Sequence, residues 1–107
     1  MPTETAPRSS EAAGLPATPE LLEVARRVCW WKAPDETLAF PAIFMAQVMT
    51  TGTWRDVGTV RVHLGDRWFR EALTRPPPGL FDAASWHYWH RVLGIAPIPP
   101  LPQRWLP

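Results

Sequence analysis

The sequence predicts an all-α fold: a compact bundle of about five short helices, with a disordered N-terminal tail and a Pro-rich C-terminal tail. Three observations lead to this prediction. Apolar residues recur every three or four positions in several segments, which is the period of a helix packed on one face. Capping residues begin these segments, and glycine or proline ends them. No stretch alternates convincingly with a period of two, as a half-buried strand would.

The two ends of the chain differ in composition from the middle. Residues 1–17 are rich in Ser, Ala, Pro, Thr and Glu and have no periodicity that could bury a face, so we expect a disordered tail. Residues 96–107 contain five prolines and favour polyproline II. The helical domain is therefore expected to span residues 18–95.

The first helix is predicted over residues 19–31. Thr18 can cap it, and Pro19 suits the first helical position because its φ is already helical. Its apolar face comprises Leu21, Val24, Ala25 and Val28. Pro34 closes this helix, and residues 35–37 are expected to form a polar connection.

The second helix is expected to be the central one. It begins at Pro41 and ends at Gly52, and its first nine residues include a single polar side chain, Gln47. A helix that is apolar nearly all round is buried on most sides. We therefore expect Phe44 and Val48 to be fully buried.

The third helix is predicted from Thr53, an N-cap with Asp56 at the third helical position, to Gly65. Its apolar positions are Trp54, Val57, Val60 or Arg61, and Leu64. Asp66 is expected to cap a fourth helix, which the prolines and glycine at 76–79 end. The apolar face of that helix comprises Trp68, Phe69, Ala72 and Leu73, and the pairs Asp66 with Arg70 and Arg67 with Glu71 have i, i+4 spacing.

The fifth helix is predicted from the N-cap Asp82 to Gly94, with Leu80 or Phe81 as a hydrophobic staple before the cap. Its core face comprises Trp86, Trp89 and Leu93. His87 and His90 share one side of this helix, but no nearby acid or cysteine completes a metal site. We expect both histidines to lie on a solvated or partner-facing edge beside Arg91.

Charge and cysteine content restrict the possible functions. The net charge is +1, and residues 41–107 hold seven Arg or Lys against four acidic residues, a net charge of +3. A dedicated DNA-binding domain usually carries a stronger excess. Cys29 is the only cysteine, so no internal disulfide forms, and it is expected to be a buried small apolar residue. The N-terminal residues lack the apolar core of a signal peptide. We therefore expect a cytoplasmic protein that does not associate with membranes. We also expect no catalytic, metal or cofactor site.

Nucleic acid remains an alternative partner. The helices at 53–64 and 66–75, joined through Gly65, have the order of a helix-turn-helix pair. Arg67, Arg70 and Arg75 could then meet phosphates, which is typical of a DNA-binding transcriptional autoregulator. The same face carries acids and has no Asn or Gln to read bases.

Residues 30–95 resemble a family of small bacterial proteins that are often encoded beside nucleotidyltransferase toxins of the abortive-infection type. The residues that carry the resemblance are Trp31 with Pro34 and Leu38, the run Ile43-Phe44-Met45-Ala46-Gln47-Val48-Met49, Gly52, Asp56, Leu64-Gly65, Leu73, Ser85-Trp86, Trp89 and Val92-Leu93-Gly94. The chain departs from the family pattern at the prolines 76–78 and in both tails. The resemblance implies an accessory or antitoxin-like role: binding a toxin protein, occluding its nucleotide or RNA site, or regulating its operon.

The surface predicted to contact that protein partner combines the fifth helix with the C-terminal tail. Trp, Tyr and Arg commonly dominate the energy of protein interfaces. Tyr88 and Arg91 lie on the helix, and Arg104 and Trp105 lie in the tail. We therefore predict that these four residues bind the partner.

Overall fold

Six α-helices and no strand make up the regular structure of residues 14–102, the part of the chain that the computed structural model describes. The helices are α1 (Pro19–Val28), α2 (Pro34–Leu38), α3 (Pro41–Thr51), α4 (Trp54–Leu64), α5 (Arg67–Thr74) and α6 (Ala83–Val92). The all-α prediction is therefore confirmed. The predicted partner residues Arg104 and Trp105 lie outside the described residues, as does most of the predicted N-terminal tail.

The central position of α3 is confirmed. This helix packs against each of the other five helices in the described range. Phe44 and Val48 are buried, as predicted, and so are Met45, Ala46 and Met49. The burial of α3 on most sides follows from its nearly continuous apolar sequence.

The first helix is shorter than predicted. Thr18 caps α1 by accepting a hydrogen bond from the Leu21 amide at 3.2 Å, and the predicted apolar face is buried. The helix ends at Val28, because Cys29 leaves helical geometry with a φ of −142°. Trp30 and Trp31 therefore lie in a turn and not in the helix.

The expected polar connection at 35–37 is wrong, because these residues form most of α2. Pro34 occupies the first helical turn, where its fixed φ is favourable, and Asp35 and Glu36 interact well with the positive end of the helix dipole. Thr37 and Leu38 are buried against the core. A five-residue helix is too short to show a periodic pattern in the sequence.

The connection from α4 to α5 also differs from expectation. The Asp66 side chain does not cap α5, and its carboxylate accepts two hydrogen bonds from Arg61 at 2.8 and 2.9 Å. This two-bond guanidinium contact replaces the predicted pair with Arg70, which instead donates to the Leu93 carbonyl. Arg67 lies over the Trp68 ring and is not paired with Glu71.

The ends of α6 follow the sequence signals. Asp82 caps the helix, and Phe81 forms the staple with Trp86, with ring centroids 5.5 Å apart. At the other end, Gly94 has a φ of 69°, and the Gly94 and Ile95 amides donate to carbonyls of the last turn. This is the Schellman arrangement, and the positive φ favours glycine at this position.

Residues on both sides of 18–95 also contact the core. Leu15 is buried, and its amide donates to the Leu38 carbonyl at 2.9 Å. The indole of Trp86 donates to the Pro99 carbonyl at 2.8 Å, and Ile98 packs against the core cluster. The first residues of the Pro-rich segment thus fold back over α6.

Candidate functional site

Three tryptophans lie on the surface and not in the core. The exposed fractions of Trp30, Trp31 and Trp54 are 77, 54 and 82%. We call these three residues the indole surface. The expectation that Trp54 lies on the apolar face of its helix is therefore wrong. In contrast, Trp86 and Trp89 are buried, as predicted.

The three indoles lie at one end of the α1–α4 pair. Arg27, in the last turn of α1, forms an ion pair with Asp56 in the first turn of α4. At the other end, His63 lies 3.5 Å from Glu20. These two contacts show that the helices run antiparallel. The turn after α1, which carries Trp30 and Trp31, and the first residue of α4, Trp54, therefore lie at the same end.

A buried carboxylate holds this end of the molecule together. Asp56 is only 2% exposed, and it accepts hydrogen bonds from the Thr53 amide at 3.1 Å and from the Arg27 guanidinium. The Thr53 hydroxyl in turn accepts from the Asp56 amide, which completes a capping box. Burial raises the pKa of Asp56, but hydrogen bonds from Arg27 and Thr53 outweigh this effect and leave it below its ordinary value.

Exposed aromatic rings and the ammonium of Lys32 follow one another in the chain after α1. The rings of Trp30 and Trp31 meet edge to face at 5.6 Å, which leaves broad ring faces accessible. The ammonium of Lys32 lies 5.4 Å from the ring centre of Phe40, which is 55% exposed. Within residues 14–102, Lys32 forms no ion pair. This combination of rings and cations is common at contact surfaces.

The two described residues of the predicted partner surface lie together on α6. Tyr88 is 58% exposed, and Arg91 is exposed one turn later. Val92 continues this exposed stripe. Because α6 packs on α3 and α5, whereas the indole surface belongs to α1 and α4, these are two separate surfaces.

The histidines of α6 do not face the same environment. His87 is exposed, but His90 is 1% exposed, and its Nδ1 lies 2.7 Å from the Trp86 carbonyl oxygen. The expectation that both lie on a solvated or partner-facing edge is therefore wrong for His90. An i, i+3 spacing separates two side chains by 60°, which is enough to place one in the core. No group of three metal-ligating residues occurs in the described part of the chain.

The arginines proposed for phosphate contact all have partners within the protein. Arg67 stacks on Trp68, Arg70 donates to the Leu93 carbonyl at 3.0 Å, and Arg75 lies 3.6 Å from Glu71. In addition, α4 and α5 pack mainly against other helices and hardly against each other. The two helices of a helix-turn-helix unit normally pack together.

The indole surface is not among the surfaces predicted from the sequence, although one sequence signal indicates it. Trp30 and Trp31 are adjacent, and adjacent positions on a helix point about 100° apart, so both cannot lie at the centre of a narrow core face. Trp54 gave no such signal. It directly follows the cap residue Thr53, and the buried residues of this helix, Asp56 and Val60, lie on a different side of it.

Comparisons with protein families, with curated proteins and with solved structures found no match to this chain. None of the helices between residues 14 and 102 has the length and apolar character that crossing a membrane requires.

Proposed function

We propose that this protein is a non-enzymatic protein-binding module. The observation that supports the proposal is the indole surface. Taking roughly 250 Å² for a fully exposed tryptophan, its three side chains offer on the order of 500 Å² to solvent, as much as the largest patch on a typical monomer. A standard interface buries about 800 Å² on each partner. The three side chains therefore supply more than half of the area that one partner buries.

The way in which the surface is held also favours binding. The Asp56 capping box and its ion pair with Arg27 fix the start of α4 against the end of α1. Side chains on a fixed backbone lose less conformational entropy when a partner binds. Tryptophan and arginine are also the residues that most often dominate interface energies.

The partner we propose is a nucleotidyltransferase toxin, which makes this chain antitoxin-like. The family resemblance of residues 30–95 supplies this class of partner, and the indole surface supplies a place to bind it. The single cysteine, Cys29, is a free buried thiol, which is compatible with the reducing cytoplasm where such a complex would act. The α6 stripe with Tyr88 and Arg91 is the second candidate surface for the same partner.

The alternative of a DNA-binding autoregulator has less support. Its three arginines, Arg67, Arg70 and Arg75, are engaged within the protein. Each would have to exchange an internal contact for a phosphate contact, which reduces the gain in binding free energy.

Co-expression with the product of the adjacent gene tests the proposal. A triple variant with Trp30→Ala, Trp31→Ala and Trp54→Ala is compared with wild type by co-purification. Val62→Ala is the matched control, because Val62 is an 83% exposed apolar residue of the same helix as Trp54. A further variant, Tyr88→Ala with Arg91→Ala, tests the α6 stripe. All variants are first checked for wild-type circular dichroism.

We expect wild type and the Val62 variant to retain a nucleotidyltransferase and to inhibit it, and the triple variant to lose both properties. If only the Tyr88 and Arg91 variant loses the complex, the interface lies on α6. If wild type retains no adjacent gene product, the antitoxin-like proposal is wrong.

A further inference from the structure

Three residues form an exposed stripe along α4. Trp54, Gly58 and Val62 follow one another at i, i+4 spacing, so they lie on one side of the helix. Trp54 and Val62 are 82 and 83% exposed, and Gly58 is exposed as well. With 3.6 residues per turn, Gly58 and Val62 point about 160° away from the buried Val60. The stripe therefore faces away from the core of the protein.

Nothing within the described chain requires glycine at position 58. Gly58 lies in the middle of α4, where glycine weakens folding by about fivefold relative to alanine. Its φ is not positive, so the backbone does not need the freedom of glycine. Apart from the neighbouring backbone of α4, no atom lies within 4 Å of the position that a Cβ would occupy. Neither backbone conformation nor internal packing therefore accounts for this glycine.

The missing side chain of Gly58 leaves a gap between Trp54 and Val62. These two residues are eight positions apart, which is about 12 Å along the helix axis, and Gly58 lies midway between them. We call this gap the Gly58 notch. Its length suits one side chain of another protein segment, as the holes between packed helices do. Glycine is also the residue that permits the close approach of a second backbone.

The charges near the notch favour an acidic neighbour. Arg55 is exposed and points about 60° around the helix from the notch. It forms no ion pair among residues 14–102. The nearby carboxylates of Glu23 and Asp56 already pair with arginines of α1. Glu20 lies at the other end of α4, beside His63. A carboxylate from outside the described chain would therefore complement Arg55.

We propose that the protein partner docks along α4, with an apolar side chain in the Gly58 notch and a carboxylate beside Arg55. Trp54 belongs both to the indole surface and to the stripe, so the two are continuous and have one occupant. The indole surface offers on the order of 500 Å², whereas a partner in a standard interface covers about 800 Å². The stripe supplies adjoining area for the difference. This inference rests on the proposed function, because it describes how the same partner is bound.

Two substitutions at Gly58 test the notch. Gly58→Ala adds one methyl group, and Gly58→Gln adds a longer side chain that also suits a helix. Both variants should fold, because the new Cβ meets no atom beyond the helix backbone within 4 Å. Ala83→Gln is the matched control, since Ala83 is the exposed first residue of α6. In urea denaturation, we expect Gly58→Ala to raise the equilibrium constant for folding by about fivefold.

Binding should change in the opposite direction. Isothermal titration calorimetry with the purified adjacent gene product measures the Kd of each variant. We expect Gly58→Ala to weaken binding by about five- to tenfold and Gly58→Gln to weaken it further, because added atoms force packed groups apart. Arg55→Gln should weaken binding by about two- to fivefold, the effect of one exposed ion pair. Val62→Ala removes two methyl groups at the edge of the interface, where contacts contribute little, and should retain the partner.

The possible results separate this inference from the proposed function. If the Gly58 variants bind the partner as tightly as wild type, the notch is not a contact, and the proposed function stands. An equal loss of binding in Ala83→Gln would also overturn the notch, because the effect would not depend on position. Unchanged binding by Arg55→Gln would overturn the carboxylate contact. If wild type binds no adjacent gene product, the proposed function and this inference fail together.

Discussion

Replacing Asp56 by asparagine tests the contact that fixes the indole surface to the core. Asparagine keeps the size of the side chain but removes the charge that the Arg27 guanidinium binds. Hydrogen bonds to charged groups contribute about 1.5–3 kcal/mol to stability. The Arg27 side chain is 47% exposed, so solvent weakens the contact, and Asp56 itself is 2% exposed. We therefore expect the free energy of unfolding to fall by about 2 kcal/mol, in the lower half of that range.

Urea denaturation at neutral pH, followed by circular dichroism, measures this loss. Arg27→Gln should cost about 1 kcal/mol, because the glutamine can still donate one neutral hydrogen bond to Asp56. Arg26→Gln is the matched control. Arg26 is the exposed neighbour whose one ion pair among residues 14–102 is with Glu23, so its loss should cost less than about 0.5 kcal/mol. A cost below about 0.5 kcal/mol for Asp56→Asn would refute the structural role of the carboxylate.

The stabilisation by Asp56 should also depend on pH. Its pKa in the folded protein is lower than in the unfolded chain, so folding favours the ionised carboxylate. The stabilisation is complete above the unfolded pKa, about 3.9, and is lost as the pH falls through the folded pKa. Wild type and Asp56→Asn should therefore converge in stability in strong acid. A difference in unfolding free energy that stays constant from pH 7 to about pH 2 would contradict this linkage.

Three further predictions follow from burial and charge. Phe44→Ala should cost about 3–5 kcal/mol in chemical denaturation and unfold so small a domain, because Phe44 is fully buried; a loss under about 1 kcal/mol would contradict the central place of α3. Trp54→Ala should change the unfolding free energy by less than about 0.5 kcal/mol, since this side chain is 82% exposed. Duplex DNA should bind no better than non-specifically, and not at physiological salt, because Arg67, Arg70 and Arg75 have internal partners; sub-micromolar, sequence-dependent binding in a mobility-shift assay would restore the autoregulator alternative.

Local sequence signals predicted the parts of the fold that depend on local interactions. The caps Thr18, Thr53 and Asp82 bond to amides three residues away, so their sequence pattern contains both donor and acceptor. The continuous apolar run also predicted the burial of α3, because a helix that is apolar on nearly all sides is buried on most of them. Asp66 shows where this reasoning fails: its carboxylate bonds to Arg61 across the glycine turn, a contact that a pattern of i, i+4 spacings does not contain.

Little of the candidate site could be predicted in the same way. The exposure of Trp54 depends on the rotation of α4, which buries Asp56 and Val60 and leaves Trp54 on another side of the helix, and only the tertiary packing sets that rotation. The burial of His90 likewise depends on the rotation of α6 against α3 and α5. The partner surface expected around Tyr88 and Arg91 remains a prediction, and Arg104 and Trp105 lie beyond the described residues.

Fluorine NMR of the protein labelled with 5-fluorotryptophan tests the central claim most directly. Resonances are assigned with single Trp→Phe variants, and the purified adjacent gene product is then added. When one equivalent of the partner is present, we expect the resonances of Trp30, Trp31 and Trp54 to shift or broaden. The resonances of the buried Trp86 and Trp89 should keep their positions. If the partner binds while the three exposed indoles remain unchanged, the indole surface is not the binding site.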